Sequence, residues 1–149
     1  MLGLALYQPD IPQNTGTILR MAACLGIAVE IIEPAGFDVS DRHLRRSGLD
    51  YLDHVAITRH PSWAAFEAWR ARSGARLVLA TTTAERSYTA FPFADGDCIL
   101  MGRESAGVPD AVHRAADARV AVPIREGMRS LNVAVAAAMI VGEAIRRIA

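Results

Sequence analysis

The feature that most limits the fold is a regular alternation along the chain: short β-rich apolar runs take turns with segments of helical periodicity. Leu2 to Tyr7, Val29 to Ile32, Val55 to Thr58, Leu77 to Ala80, Cys98 to Met101 and Val120 to Val122 read as strands. Several are apolar on both faces, as strands buried inside a parallel sheet are. Helices are predicted over Thr15 to Leu25, Asp41 to Ser47, Ser62 to Arg72, Pro109 to Ala115 and Leu131 to Ile148. Strand and helix alternating at this spacing give an α/β fold, a parallel sheet flanked by helices on both sides. Periodicity alone leads to an unknotted doubly wound sheet, because knots are almost absent from proteins.

The 149 residues suit one domain, and 52% hydrophobic against 21% charged residues describe a folded chain whose core needs no staples. Sixteen cationic and sixteen acidic residues leave no net charge, so no global field draws the chain to a polyanion, and any such partner must be held by a local patch. All sixteen cations are arginine. Schiff-base and P-loop chemistry, which need lysine, are excluded, whereas bidentate phosphate contact is available. Cys24 and Cys98 form no CxxC pair, and His43, His54, His60 and His113 lack metal-ligand spacing, so reduced thiols and no metal are expected. The amino terminus lacks the basic region of a signal peptide, and the longest apolar stretch, Val133 to Val141, is too short to span a bilayer. A cytoplasmic protein with no membrane contact is the expectation.

Three clusters carry candidate chemistry. After the first strand comes Pro9-Asp10-Ile11-Pro12-Gln13-Asn14-Thr15-Gly16, in which Asn14 can cap the following helix and Gly26 can end it. Ile18, Met21, Ala22 and Leu25 share one face of that helix and should be core, which turns Arg20 to the opposite side. From the helix alone, a solvated surface arginine is the commoner reading. The second cluster, Ile99 to Pro109, is a strand opening into a loop with Gly102 and Gly107. Glycine at a strand's carboxyl end lets a ligand approach the backbone, although an ordinary tight turn explains the spacing as well. Val108 and Pro109 stand where a Walker motif needs Lys and Ser/Thr, and no GxGxxG occurs. The third cluster, Val120 to Asn132, joins a strand to the last helix, with Ser130 or Asn132 as its cap. From Leu131 to Val141 that helix is apolar nearly all round, so core and a second subunit should both cover it.

Ile11-Pro12-Gln13-Asn14-Thr15-Gly16 with Arg20, Gly102-x-Glu104-x-x-Gly107, and Pro123-Ile124 followed by Arg129-Ser130-Leu131-Asn132 together resemble the three motifs of the SPOUT RNA methyltransferases. Ile31 to Phe37 and Leu44 to Tyr51 narrow the likeness to the small single-domain branch that methylates the 2′-hydroxyl of the tRNA wobble nucleotide, cytidine or uridine 34. The resemblance covers nearly the whole chain in the right order. It implies a carboxyl-terminal trefoil knot that binds S-adenosylmethionine, and an active site shared across a homodimer acting on the anticodon stem-loop of tRNA. By position, the cofactor contacts fall on Ala80, Gly102, Val122, Ile124, Ser130 and Leu131, with Thr81, Thr82 and Thr83 beside them. Asn14, Glu104 and Asn132 become supporting residues. The chain departs from the family at Gly142, where members often carry tyrosine.

The resemblance makes Arg20 the catalytic residue. A guanidinium with a pKa above roughly 12 is a poor base, so its expected part is to hold a phosphate and polarise the hydroxyl, with the proton acceptor left open. Glu104 could fix the glycine loop or balance a sulfonium, and Asn132 could cap the last helix or orient Arg20. Arg42, Arg45 and Arg46 share one helical face and, given the resemblance, form a phosphate-binding patch rather than a solvated surface. Few aromatics offer a stacking platform beyond Tyr51 and Tyr88. Two rival functions stand beside this one: a ribosomal RNA ribose methyltransferase, whose relatives commonly add a domain with no residues left for it here, and a non-catalytic RNA-binding module on the same fold.

Overall fold

The computed structural model describes residues 1–38 and 49–149, with residues 49–51 described in backbone only. In chain order the elements are β1 (Gly3–Tyr7), α1 (Pro12–Leu25), β2 (Ala28–Ile32), a 3-10 turn (Leu49–His54), β3 (Ile57–His60), α2 (Trp63–Ser73), β4 (Arg76–Ala80), a second 3-10 turn (Tyr88–Ala90), β5 (Asp97–Met101), α3 (Asp110–Ala115), β6 (Ala118–Val120) and α4 (Val133–Ile148). The six strands form one sheet in the order β3-β2-β1-β5-β4-β6, parallel at every pairing. The third strand starts at Ile57, two residues later than its apolar pattern suggests, because Ile57 is the residue that pairs with Val29.

Alternate residues of each strand feed opposite layers, as the pleat requires. On one face Leu4, Leu6, Val29, Ile31, Val78 and Ile99 pack with α1 and α4; on the other Ala5, Ile32, Leu77, Leu79 and Leu100 pack with Phe66 of α2 and Val112 of α3. Each fully buried Leu or Ile contributes about 2 kcal/mol. The central strands are therefore sealed on both sides, and function is confined to the sheet's ends.

Helix α1 buries Thr15, Gly16, Ile18, Leu19 and Ala22 and ends at Gly26, which adopts a left-handed φ of 69°. Met21 is only half-buried and Leu25 is 48% exposed, contrary to the expected core stripe. Spacing fixes the face that a helix buries but not which of its turns has sheet beneath it, and here the covered stretch starts one turn earlier. Arg20 is exposed on the opposite side, as the helical wheel requires. Helix α4 buries Ala134, Ala137, Ile140, Val141 and Ala144, leaving Leu131 before it and Val135, Met139 and Ile145 exposed on the other side. It runs unbroken through Gly142, around which a side chain would meet open space. Among the described residues, no helix is long and apolar enough to cross a membrane.

Candidate active site

The carboxyl ends of parallel strands are where α/β sheets hold ligands, and the ends of β4, β5 and β6 open here into a cleft of about 760 Å³. Thr81 N donates to Val120 O, Ala121 N to Arg86 O and Tyr88 N to Ala121 O, so the segment after β4 lies along the segment that leaves β6. Ala80, Gly102, Val122, Ile124, Ser130 and Leu131 all line the cleft, together with Asn14, Glu104, Asn132 and Thr81 to Thr83. Sequence positions as far apart as Asn14 and Asn132, 118 residues, thus meet in one space.

The glycine loop is closed on itself. Arg103 N donates to Gly107 O at 3.1 Å and Gly107 N to Arg103 O at 2.8 Å. A side chain on Gly102 would come within 2.9 Å of the Gly107 backbone, and Gly107 itself has φ 62°. Both glycines are needed for the turn, and the absence of side chains keeps the cleft wall at backbone level. Leu79, Met101 and Ile140 supply an apolar wall, while strand-end peptide groups and threonine hydroxyls supply polar partners. An adenine nucleoside carrying a sulfonium and an amino-acid tail fits a wall of that composition and a space of that size.

Asn132 joins two of the clusters. Its Oδ1 caps α4, accepting from Ala134 N at 2.8 Å and Val135 N at 3.3 Å, while its Nδ2 donates to Asn14 Oδ1 at 3.0 Å. Asn14 therefore does not cap α1: the helix begins earlier, with Pro12 in its first turn and Ile11 as the cap residue, which makes no side-chain bond to it. Proline suits this position because the first helical N–H has no partner anyway. Asn14 then sits inside the first turn, with its amide oxygen committed to Asn132. Arg20 lies farther along the same helix and is not among the residues lining the cleft.

Glu104 reaches out of the glycine loop and its Oε2 accepts from Asp10 N at 3.1 Å, linking the loops that follow β5 and β1. Ser105 Oγ donates to Asp10 Oδ2, and Arg103 Nε lies 3.6 Å from the same oxygen. The hydrogen bond from the Glu104 carboxyl, aided by Ser105 and the Arg103 charge, lowers the pKa of Asp10 against the opposing effect of burial. Burial first, and the neighbouring Asp10 second, raise that of Glu104. Of the two roles anticipated for Glu104, fixing the loop is the one these contacts provide. Asp10 was not singled out by its sequence, since nothing local indicates a partner 94 residues away.

His113 and Asp110 of α3 also line the cleft, and neither stands out in the sequence. Tyr88 is half-buried against the core. Arg42, Arg45, Arg46 and the Tyr51 side chain lie outside the described residues. Among the described residues, no group of three His, Cys, Asp or Glu could hold a metal ion.

Residues 1–142 match the model of the SpoU rRNA Methylase family. A tRNA (cytidine(34)-2'-O)-methyltransferase from Beijerinckia indica is 66% identical over 145 residues, covering 97% of this chain and 91% of the relative. A solved structure described as giving structural insights into the 2-OH methylation of C/U34 on tRNA superposes with TM-score 0.93 at 42% identity, over 99% of this chain and 95% of that one. The SpoU methyltransferase AviRb of Streptomyces viridochromogenes, solved in complex with the cofactor AdoMet, gives TM-score 0.91 at 31% identity, over 99% of this chain and 60% of that one. With the family model matched over residues 1–142 and the fold shared over nearly the whole chain, the chain belongs to the SpoU rRNA methylase family.

Proposed function

We propose that this protein is a tRNA methyltransferase that transfers a methyl group from S-adenosylmethionine to the ribose 2′-hydroxyl of nucleotide 34. The observation carrying this reading is the convergence of Ala80, Gly102, Val122, Ile124, Ser130 and Leu131 on one cleft. The near-full-length similarity to relatives named for cytidine 34 favours tRNA over ribosomal RNA. The trefoil knot of the family belongs to the same reading.

The bound cofactor supplies an electrophilic methyl on sulfur, and the chain's work is to orient the attacking hydroxyl and favour loss of its proton. Arg20 holds the phosphate beside the target ribose and polarises its hydroxyl; a guanidinium presents fixed donors for that purpose. Asn132 and Asn14 set the last helix against the helix that bears Arg20. Glu104 and Asp10 hold the glycine loop in place. Arg42, Arg45 and Arg46 grip phosphates of the anticodon stem-loop.

The active form is a cytoplasmic homodimer with the site shared between subunits. Val135 and Met139, one turn apart on α4, with Ile145 on the same helix and Leu131 just before it, leave exposed apolar surface of the kind a second copy covers. Calorimetry with S-adenosylhomocysteine and light scattering test both parts. The expected results are one ligand per protomer and a dimer at micromolar concentration; absence of binding, or a monomer, contradicts the proposal.

A further inference from the structure

At one end of the cleft the donor pattern is set by an arginine that itself never reaches the ligand space. Arg119, on β6, donates from Nε and Nη2 to the carbonyl of His113, which fastens the last turn of α3. The same Nε lies 3.1 Å from His113 Nδ1. A guanidinium can only donate, so Nδ1 must be the acceptor, and the proton of the neutral imidazole is placed on Nε2.

His113 lines the cleft, and among the described residues its Nε2 has only a weak partner. Thr83 Oγ1 is 3.5 Å away, at the outer limit of a hydrogen bond, and is itself 3.1 Å from Thr81 Oγ1. Thr81 Oγ1 already accepts from Thr83 N at 3.3 Å, which turns the two hydroxyls into one short array beside the imidazole. Asp110 also lines the cleft and lies three residues before His113 on α3, so it shares that helix face. An N–H donor, two hydroxyls and a carboxylate within one wall are suited to a ligand group that presents oxygen acceptors next to its own donors.

We infer that His113 is a cofactor-contacting residue, held by Arg119 as an Nε2–H donor, and that it binds an oxygen on the polar part of the S-adenosyl cofactor. The inference rests on the proposed cofactor reading and extends it to a residue that none of the three motifs contains. Two parts of the cofactor carry this chemistry, the ribose diol and the amino-acid end, and ligand fragments separate them. 5′-Methylthioadenosine retains the diol and lacks the amino acid.

The test is calorimetry of the intact protein with S-adenosylhomocysteine and with 5′-methylthioadenosine, for wild type, His113→Ala and His113→Gln. Loss of one hydrogen bond predicts S-adenosylhomocysteine affinity about tenfold weaker in His113→Ala. His113→Gln, which keeps an N–H donor, should recover most of that loss. Equal weakening toward methylthioadenosine assigns the contact to the diol; methylthioadenosine affinity that stays at the wild-type level assigns it to the amino-acid end. S-adenosylhomocysteine affinity unchanged in His113→Ala overturns the inference while leaving the cofactor reading intact; a wild-type protein that binds neither ligand overturns both. Nitrogen-15 NMR of the wild-type imidazole gives a check that needs no variant. An Nε2–H tautomer whose signals move on adding S-adenosylhomocysteine is expected, and a proton on Nδ1, or no movement, overturns the inference even if His113→Ala fails to fold.

Discussion

Asn132→Ala removes two interactions at once, and the structure allows each to be sized. Losing a side-chain cap costs about 1 kcal/mol, here through the acceptor of Ala134 N and Val135 N. Losing the hydrogen bond to Asn14 at 3.0 Å adds about 0.5 kcal/mol, the low end of the usual range because the pair is exposed. The sum, about 1.5 kcal/mol, corresponds to a Tm lower by roughly 5 °C for a chain of this length. Asn132→Ser keeps a capping oxygen but cannot reach Asn14, so it should lose only about 0.5 kcal/mol. A double-mutant cycle of Asn132→Ala with Asn14→Ala isolates the link between the first and third motif clusters, with an expected coupling of about 0.5 kcal/mol. Thermal and denaturant unfolding at one fixed protomer concentration measure wild type and the four variants, since dimer formation makes Tm concentration-dependent. The reasoning is refuted if Asn132→Ala is as stable as wild type, or if Asn132→Ser is as damaging as Asn132→Ala.

Arg20→Ala should abolish methyl transfer while leaving Tm and S-adenosylhomocysteine affinity near wild type, because Arg20 is exposed and outside the cleft lining; unfolding or loss of cofactor binding would make it structural. Glu104 has a native pKa above its ordinary value, so its contribution to stability is complete below about pH 4.5 and fades as pH rises through the native value. Glu104→Gln, fixed in the neutral form, should therefore gain stability relative to wild type as pH rises above about 4.5, and a difference independent of pH counts against the assignment. Asp10 has the opposite sign: its contribution is present above about pH 3.8 and is lost as pH falls through its lowered native value, a loss that Asp10→Asn should remove. Cys24 is exposed, whereas burial pushes the Cys98 thiol up to about 12. Native protein should react with one equivalent of a thiol reagent and denatured protein with two, and two fast equivalents in the native state would contradict the buried placement.

Much of this architecture is legible in the chain because it is written in local periods. Runs such as Cys98-Ile99-Leu100-Met101, short and bounded by turn residues, read as strands buried on both faces, and Gly26 marks the end of α1 without reference to anything distant. The strand order is not local. Placing β1 between β2 and β5 depends on which buried faces fit together, and neither periodicity nor spacing carries that information. The site divides in the same way. Its three motif loops stand out through glycine, proline and capping residues, whereas Asp10 and His113 become visible only when Glu104 and Arg119 are brought to them. Asn14 illustrates the converse. Its residue type suggested a cap, and the tertiary structure gave it a different partner by starting the helix at Pro12.

The central claim is methylation of the ribose at nucleotide 34, and site mapping tests it directly. Unmodified tRNA is incubated with the purified protein and S-adenosylmethionine, digested to oligonucleotides, and read by mass spectrometry, with Arg20→Ala as the control. The account predicts a gain of one methyl on the ribose of nucleotide 34, present with wild type and missing with the variant. A methyl on a base, at another tRNA position, or on ribosomal RNA in preference to tRNA would contradict it.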